Sequence, residues 1–132
     1  MAKKITAIRR YQPEIKREPT RQTRQVVEDV ARHTGLNEGQ LRFVVYELRD
    51  AILAAHRQGQ AVKIDDFGTF TPVIRIGGDL DILFRPDPDL LRELNNRTKF
   101  HAKILNKASI GKSADDLVAR WNAEHPEDPV EE

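Results

Sequence analysis

The sequence predicts an α+β fold, on three observations. Apolar residues recur at helical spacing from about Thr23 to Gln58, in two stretches separated by Thr34-Gly35-Leu36. From Val62 to Phe84 the spacing changes to strand-like alternation around a Gly77-Gly78-Asp79 turn. Short helix signals follow, one behind Asp87-Pro88 and one behind Ser113.

Residues 1–11 alternate loosely around Ile5 and Ala7, which permits a short strand, and Pro13 and Pro19 make the stretch from Tyr11 to Arg21 a linker. Val26, Val27, Val30 and Ala31 share one face of the first helix. Gly35 supplies the left-handed residue that ends it. Asn37-Glu38-Gly39-Gln40 has the form of a capping box, with Asn37 serving the free amides and Gln40 reaching back. The second helix runs from about Glu38 to Gln58 and carries two apolar faces. Leu41, Val44, Val45, Leu48, Ile52 and Ala55 form one, and Phe43, Tyr46, Leu53 and Ala54 the other. Such a helix needs cover on both sides, and homodimerisation is the simplest way to supply it.

Strand material runs through Val62, Ile64, Phe67-Gly68-Thr69-Phe70, Val73–Ile76 and Leu80–Phe84. A three-residue loop pairs Ile76 with Leu80, Ile74 with Ile82 and Arg75 with Asp81, which keeps one face apolar and neutralises one pair. Pro72 belongs at an edge or bulge. Asp87 caps a third helix with Pro88 at its first position and Leu90, Leu91 and Leu94 facing the core. A last helix runs from Ser113 to Glu124 and aligns Leu117, Val118 and Trp121. The acidic residues after Pro126 are expected to fray.

The 132 residues carry a net charge of +1 that conceals segregation. Residues 1–24 carry +6, residues 25–96 carry −4, residues 97–112 carry +5 and residues 113–132 carry −6. Basic flanks of this kind seek phosphates or stand as solvated arms. The absence of cysteine excludes disulfides, thiolate metal sites and thiol nucleophiles. No apolar run is long enough to span a bilayer, and Met-Ala-Lys-Lys-Ile-Thr lacks the apolar stretch of a secretory signal, so the cytoplasm is the expected compartment. His33, His56, His101 and His125 have no metal-binding spacing. Gly111-Lys112-Ser113 echoes the end of a phosphate-binding loop but lacks its earlier glycine and its strand, and Ser113 reads better as a helix cap. The acidic pairs Asp65/Asp66, Asp79/Asp81 and Asp87/Asp89 are turn and cap chemistry. No catalytic residue, metal, cofactor or small-molecule substrate is expected.

Helix, tight turn and long helix are followed by Gly59, Val62, Ile64, Phe67-Gly68-Thr69-Phe70, a hairpin, Phe84-Arg85-Pro86 and a closing helix. That order resembles the HU/IHF-like family of bacterial histone-like DNA-binding proteins. The resemblance covers about residues 22–95 and leaves a basic segment, 1–21, and a C-terminal extension, 97–132, outside an HU-like domain at 22–96. It implies two N-terminal helices, a three-stranded antiparallel sheet with a short hairpin, a closing helix and an extra C-terminal helix. It also implies an intertwined homodimer whose shared core holds Phe67, Phe70, Phe84, Val45, Leu48 and Ile52. The implied partner is DNA, in the cytoplasmic nucleoid.

The sequence departs from that family at its DNA-gripping arms, which are long, basic and tipped by an Arg-Asn-Pro-like wedge. Here only thirteen residues, Thr71 to Leu83, separate Phe70 from Phe84, and the turn is Gly77-Gly78-Asp79. Asp87 and Asp89 stand where relatives offer helix amides to phosphate. Charge for DNA must therefore come from Lys3, Lys4, Arg9, Arg10, Arg21, Arg24, Arg75, Arg85 and the basic cluster at 97–112. Arg85 either binds backbone or pairs at the surface with Asp87 or Asp66. Contacts of this kind neutralise phosphate without reading bases, so the expected binding is non-specific. The alternative is an HU-fold protein-interaction or structural module that has lost the DNA-embracing arms.

Overall fold

Local capping chemistry sets the element boundaries. The computed structural model describes residues 1–131, which divide into two units: Pro19–Phe100, and the two chain ends, Met1–Glu18 with the segment from His101 onward.

In the first unit, α2 (Thr23–Thr34) is followed by α3 (Glu38–Arg57). The Gln22 N–H donates to Gln25 Oε1 at 2.8 Å to start α2, and Gly35, at φ +73°, ends it. Asn37 Oδ1 accepts from the N–H groups of Gly39 (2.7 Å) and Gln40 (3.3 Å). The expected return bond from the Gln40 side chain does not form among the described residues; Asn37 caps α3 alone. Within one chain α3, 20 residues long, has no buried residue. Phe43 is 65% exposed and Val45 46%, although α3 packs against α2 and against the strand segments Val62–Ile64 and Gly68–Ile74.

The sheet has the order β2 (Val62–Ile64), β3 (Gly68–Ile74), β4 (Leu80–Pro86), all antiparallel. Gly68 of the Phe-Gly-Thr-Phe segment is a close-approach position. A Cβ there would lie 2.5 Å from the Phe84 ring and 2.6 Å from the Arg85 carbonyl oxygen. The hairpin register differs from the expected one. Ile74 pairs with Leu80 and Phe70 with Phe84, so the loop forms one residue earlier on β3 and closes with the Arg75 N–H donating to the Asp79 carbonyl at 2.8 Å. Gly78, at φ +94°, supplies the left-handed residue this loop needs and sets the slip. A slip of two residues preserves parity, so the apolar face survives and Ile76 moves into the loop, fully exposed. Arg75 and Asp81 still form an ion pair, now on a diagonal.

Pro72 sits in the central strand, yet its missing donor costs no ladder bond. Arg75 bonds Asp79 and Asp87 bonds Phe67, so odd-numbered residues of β3 face β4 with their hydrogen-bonding groups. Pro72 therefore turns its nitrogen the other way, past the end of β2, whose last partner is Phe70. Helix α4 (Pro88–Leu94) starts with Asp87 Oδ2 accepting from the Asp89 N–H at 2.9 Å.

In the second unit, residues 4–11 form a helix, α1 (Lys4–Tyr11), where the loose alternation permitted a strand. Ala7 and Tyr11, one turn apart, are buried in the same core as Leu117 and Val130 from the other chain end. Helix packing between distant segments thus outweighs a weak local pattern. Within the stretch read as linker, β1 (Glu14–Ile15) pairs antiparallel with β5 (Ile104–Leu105). A 3-10 turn (Lys107–Ser109) leads to α5 (Ala114–Glu124). Ser113 and Asp116 form a reciprocal capping box at the start of α5, with bonds of 3.1 and 3.0 Å.

Residues 127–130 do not fray as expected, and Glu132, the last of the acidic residues, lies outside the described residues. Trp121 Nε1 donates to the Asp128 carbonyl at 2.8 Å, the Val130 N–H donates to Asn122 Oδ1 at 2.7 Å, and Ala2 bridges Val130. No described helix is long and apolar enough to cross a membrane.

Candidate nucleic-acid interface

Strand alternation gives the sheet two unlike faces. Even-numbered positions carry Val62, Ile64, Phe70, Ile82 and Phe84, with the Phe70 and Phe84 rings 4.7 Å apart. Phe67, from the preceding turn, places its ring 5.9 Å from Phe84 and 6.3 Å from Phe70. The odd-numbered face carries Lys63, Thr69 and Arg85 in one row across all three strands, because Lys63 pairs with Thr69 and Thr69 with Arg85. Two inter-strand spacings put Lys63 and Arg85 about 10 Å apart at the backbone. Both are exposed, and neither is in an ion pair among the described residues. The surface pair between Arg85 and Asp66 or Asp87 does not form.

The other cations singled out from the sequence divide by partner. Arg21 pairs with Asp29, which also takes Arg32 at 3.2 Å. Arg24 pairs with Glu28 at 3.4 Å and Lys4 with Asp115 at 3.4 Å. The Arg75 guanidinium, together with the Ile82 N–H, holds the Asp81 carboxyl below the usual carboxylate range. Lys3 precedes α1, and Arg9 and Arg10 lie in its last turn, where they complement the helix dipole. Lys3, Arg9 and Arg10 have no acidic partner among the described residues.

Lys63 is the residue that sequence reasoning missed. Its signal was the pairing of Phe70 with Phe84, which sets Thr69 opposite Arg85 and Lys63 on the same face. The expected register put Arg85 elsewhere and hid the row.

The start of α4 is chemically opposite. Carboxylate oxygens of Asp66, Asp87 and Asp89 lie within 4.8 Å of one another, beside an open depression of about 440 Å³ lined by Asp66, Asp89, Leu90, Arg92 and Glu93. Asp87 is used as a cap and Asp89 pairs with Arg92 at 2.6 Å. This end of the unit repels phosphate.

Comparison with known proteins agrees with this architecture. A solved structure of an HU point mutant from Thermotoga maritima aligns over 57% of this chain and 100% of its own, with a TM-score of 0.50 and 19% identity, which shows a shared fold. No curated protein matches the chain. The family model described as "HU domain fused to wHTH, Ig, or Glycine-rich motif" matches residues 3–81. This chain therefore belongs to that HU-domain family, a non-catalytic family distantly related to bacterial HU proteins, and carries extra segments beyond the core fold.

Proposed function

We propose that this chain is a homodimeric DNA-binding protein of the bacterial nucleoid that contacts the duplex backbone without strong sequence preference. The observation that carries the reading is the Lys63–Thr69–Arg85 row, two cations without an ion pair among the described residues, on the sheet face opposite the phenylalanines. With so short a hairpin, contact is made by the body of the sheet rather than by embracing arms. A guanidinium and an ammonium held on a β-surface neutralise phosphates and read no base edges. The homodimer is supported by the apolar surface that one chain leaves open. Phe67 is 50% exposed, Phe84 45% and Leu48 44%, while Phe70 and Ile52 are only half-buried. Residues 1–21 and 97–132 are then additions to an HU-like domain at 22–96.

The test is a mobility shift on duplex DNA against salt. Lys63→Ala/Arg85→Ala removes two contacts from each chain of the dimer and should lower the slope of log affinity against log salt by roughly 3.6, at about 0.9 per lost phosphate contact. A wild-type chain that fails to bind at about 50 mM salt, or binds with a flat salt dependence, overturns the reading. One observation favours the second reading, a protein-docking module: Ile74, Ile76 and Leu80 crowd the hairpin tip, all strongly exposed. Partners recovered from a pull-down after nuclease treatment, and lost with Ile76→Ser, would establish it.

A further inference from the structure

The unit built from the two chain ends contains a local conflict that its own packing does not explain. Extending the β1–β5 register by one rung sets Lys16 directly opposite Lys103, and the Lys16 N–H donates to the Lys103 carbonyl at 2.8 Å. Directly opposed residues of a hydrogen-bonded pair lie about 5.5 Å apart and project to the same side. Like charges in that arrangement are destabilising. Neither lysine is in an ion pair among the described residues, although Glu14 stands on the same side, diagonal to Lys103.

A second device adds charge at the other end of the same short ladder, three rungs or about 10 Å along. Asn106, in the left-handed region at φ +55°, donates through Nδ2 to the carbonyls of Arg10 (3.0 Å) and Gln12 (3.1 Å). This ties the end of β5 to the end of α1, next to Arg10 in one segment and Lys107 in the other. Arg10 and Lys107 also lack acidic partners among the described residues. Two basic stretches, within residues 10–16 and 103–107, thus line one exposed corner of this unit.

We propose that the Lys16/Lys103 rung, with Arg10 and Lys107 past the far end of the same ladder, is a second nucleic-acid contact that grips the phosphate backbone. The chemistry selects an extended polyanion. The corner is exposed, so a small anion gains no enclosure there. The rung's own side carries Glu14 and Leu105 rather than the broad apolar face that a lipid-surface anchor needs. Repeating phosphates match closely set cations and release counterions when bound. The inference extends the DNA-binding reading and rests on it for the choice of duplex DNA, while its residues are separate from the sheet row.

The experiment compares full-length wild type, Lys16→Gln/Lys103→Gln and Lys63→Ala/Arg85→Ala by fluorescence anisotropy on a random duplex of about 30 base pairs over a salt series. The expected result is a salt slope lowered by roughly 3.6 for Lys16→Gln/Lys103→Gln in the dimer, with a melting temperature equal to or above wild type because the opposed charges are gone. Lys16→Arg/Lys103→Arg should restore the slope, which separates a phosphate contact from a folding effect. An unchanged slope in the glutamine variant, with a lowered slope in the sheet variant, overturns this proposal and leaves the sheet reading intact. The reverse pattern overturns the sheet reading and supports this one. Duplex binding retained while binding to phosphatidylglycerol vesicles is lost would assign the corner to a membrane and overturn the proposal.

Discussion

Phe67→Ala separates a lone chain from a dimer by magnitude. Complete burial makes a Phe-to-Ala substitution cost about 3–5 kcal/mol. In one chain Phe67 is 50% exposed, with Phe84 and Phe70 on one side of its ring. Truncation in an isolated chain then removes about half of the buried surface and costs about 1.5–2.5 kcal/mol. If a second copy covers the open half, the full range applies, and the loss falls on the coupled unfolding and dissociation step. Urea unfolding at several protein concentrations measures both quantities, since the midpoint of a dimer rises with concentration. The expected outcome is a concentration-dependent midpoint, a sedimenting species of twice the 15.1 kDa chain mass, and a loss of about 3–5 kcal/mol. A wild type that sediments as one chain with a fixed midpoint refutes the dimer argument. So does a loss confined to the smaller range.

Two further outcomes follow from local geometry. Gly68→Ala should destabilise by about 1–3 kcal/mol in thermal unfolding, because the added carbon meets the Phe84 ring at 2.5 Å and the Arg85 carbonyl at 2.6 Å, and the carbonyl belongs to a paired strand. Acid should weaken the fold through Asp81, Asp116 and Glu124. Hydrogen bonds from Arg75, from the Ser113 N–H and from the Tyr11 hydroxyl, respectively, hold their carboxyls below their ordinary values of 3.8, 3.8 and 4.5. Their stabilisation is therefore present above those values and lost as pH falls through the lower folded ones. A stability profile from about pH 7 downward checks this, and Asp81→Asn should flatten part of the decline.

What the sequence made legible was local chemistry. Gly35, Asn37, Asp87, Pro88 and Ser113 each act within one helical turn of themselves, and each stands where its side chain or φ angle is required. The hairpin register was harder. Two loop placements of equal parity bury the same face, and only the left-handed residue at Gly78 distinguishes them. Helix α1 was illegible for a different reason. Its buried pair, Ala7 and Tyr11, meets Leu117 and Val130 more than a hundred positions away, and no window of sequence holds both partners. The basic residues were visible, but which of them are already neutralised was not. Arg21, Arg24 and Arg75 have acidic partners, whereas Lys63 and Arg85, set in one row by strand pairing, have none among the described residues.

On the proposed reading, the sheet's two faces would tie assembly to nucleic-acid contact. One chain presents the two cations of the Lys63–Arg85 row, and two phosphate contacts contribute a salt slope of only about 1.8. A pair of chains doubles the row and raises the slope to roughly 3.6, which steepens binding at low salt. Affinity for duplex should therefore track the dimer rather than the chain. Phe67→Ala, on the apolar side, should weaken DNA binding at low protein concentration and recover it as concentration rises, although it removes no charge. Lys63→Ala should weaken binding equally at all concentrations and leave the unfolding midpoint unmoved. Mobility shifts on both variants across a protein dilution series distinguish the two patterns. Identical concentration dependence in both would sever assembly from binding and place the phosphate contact within a single chain.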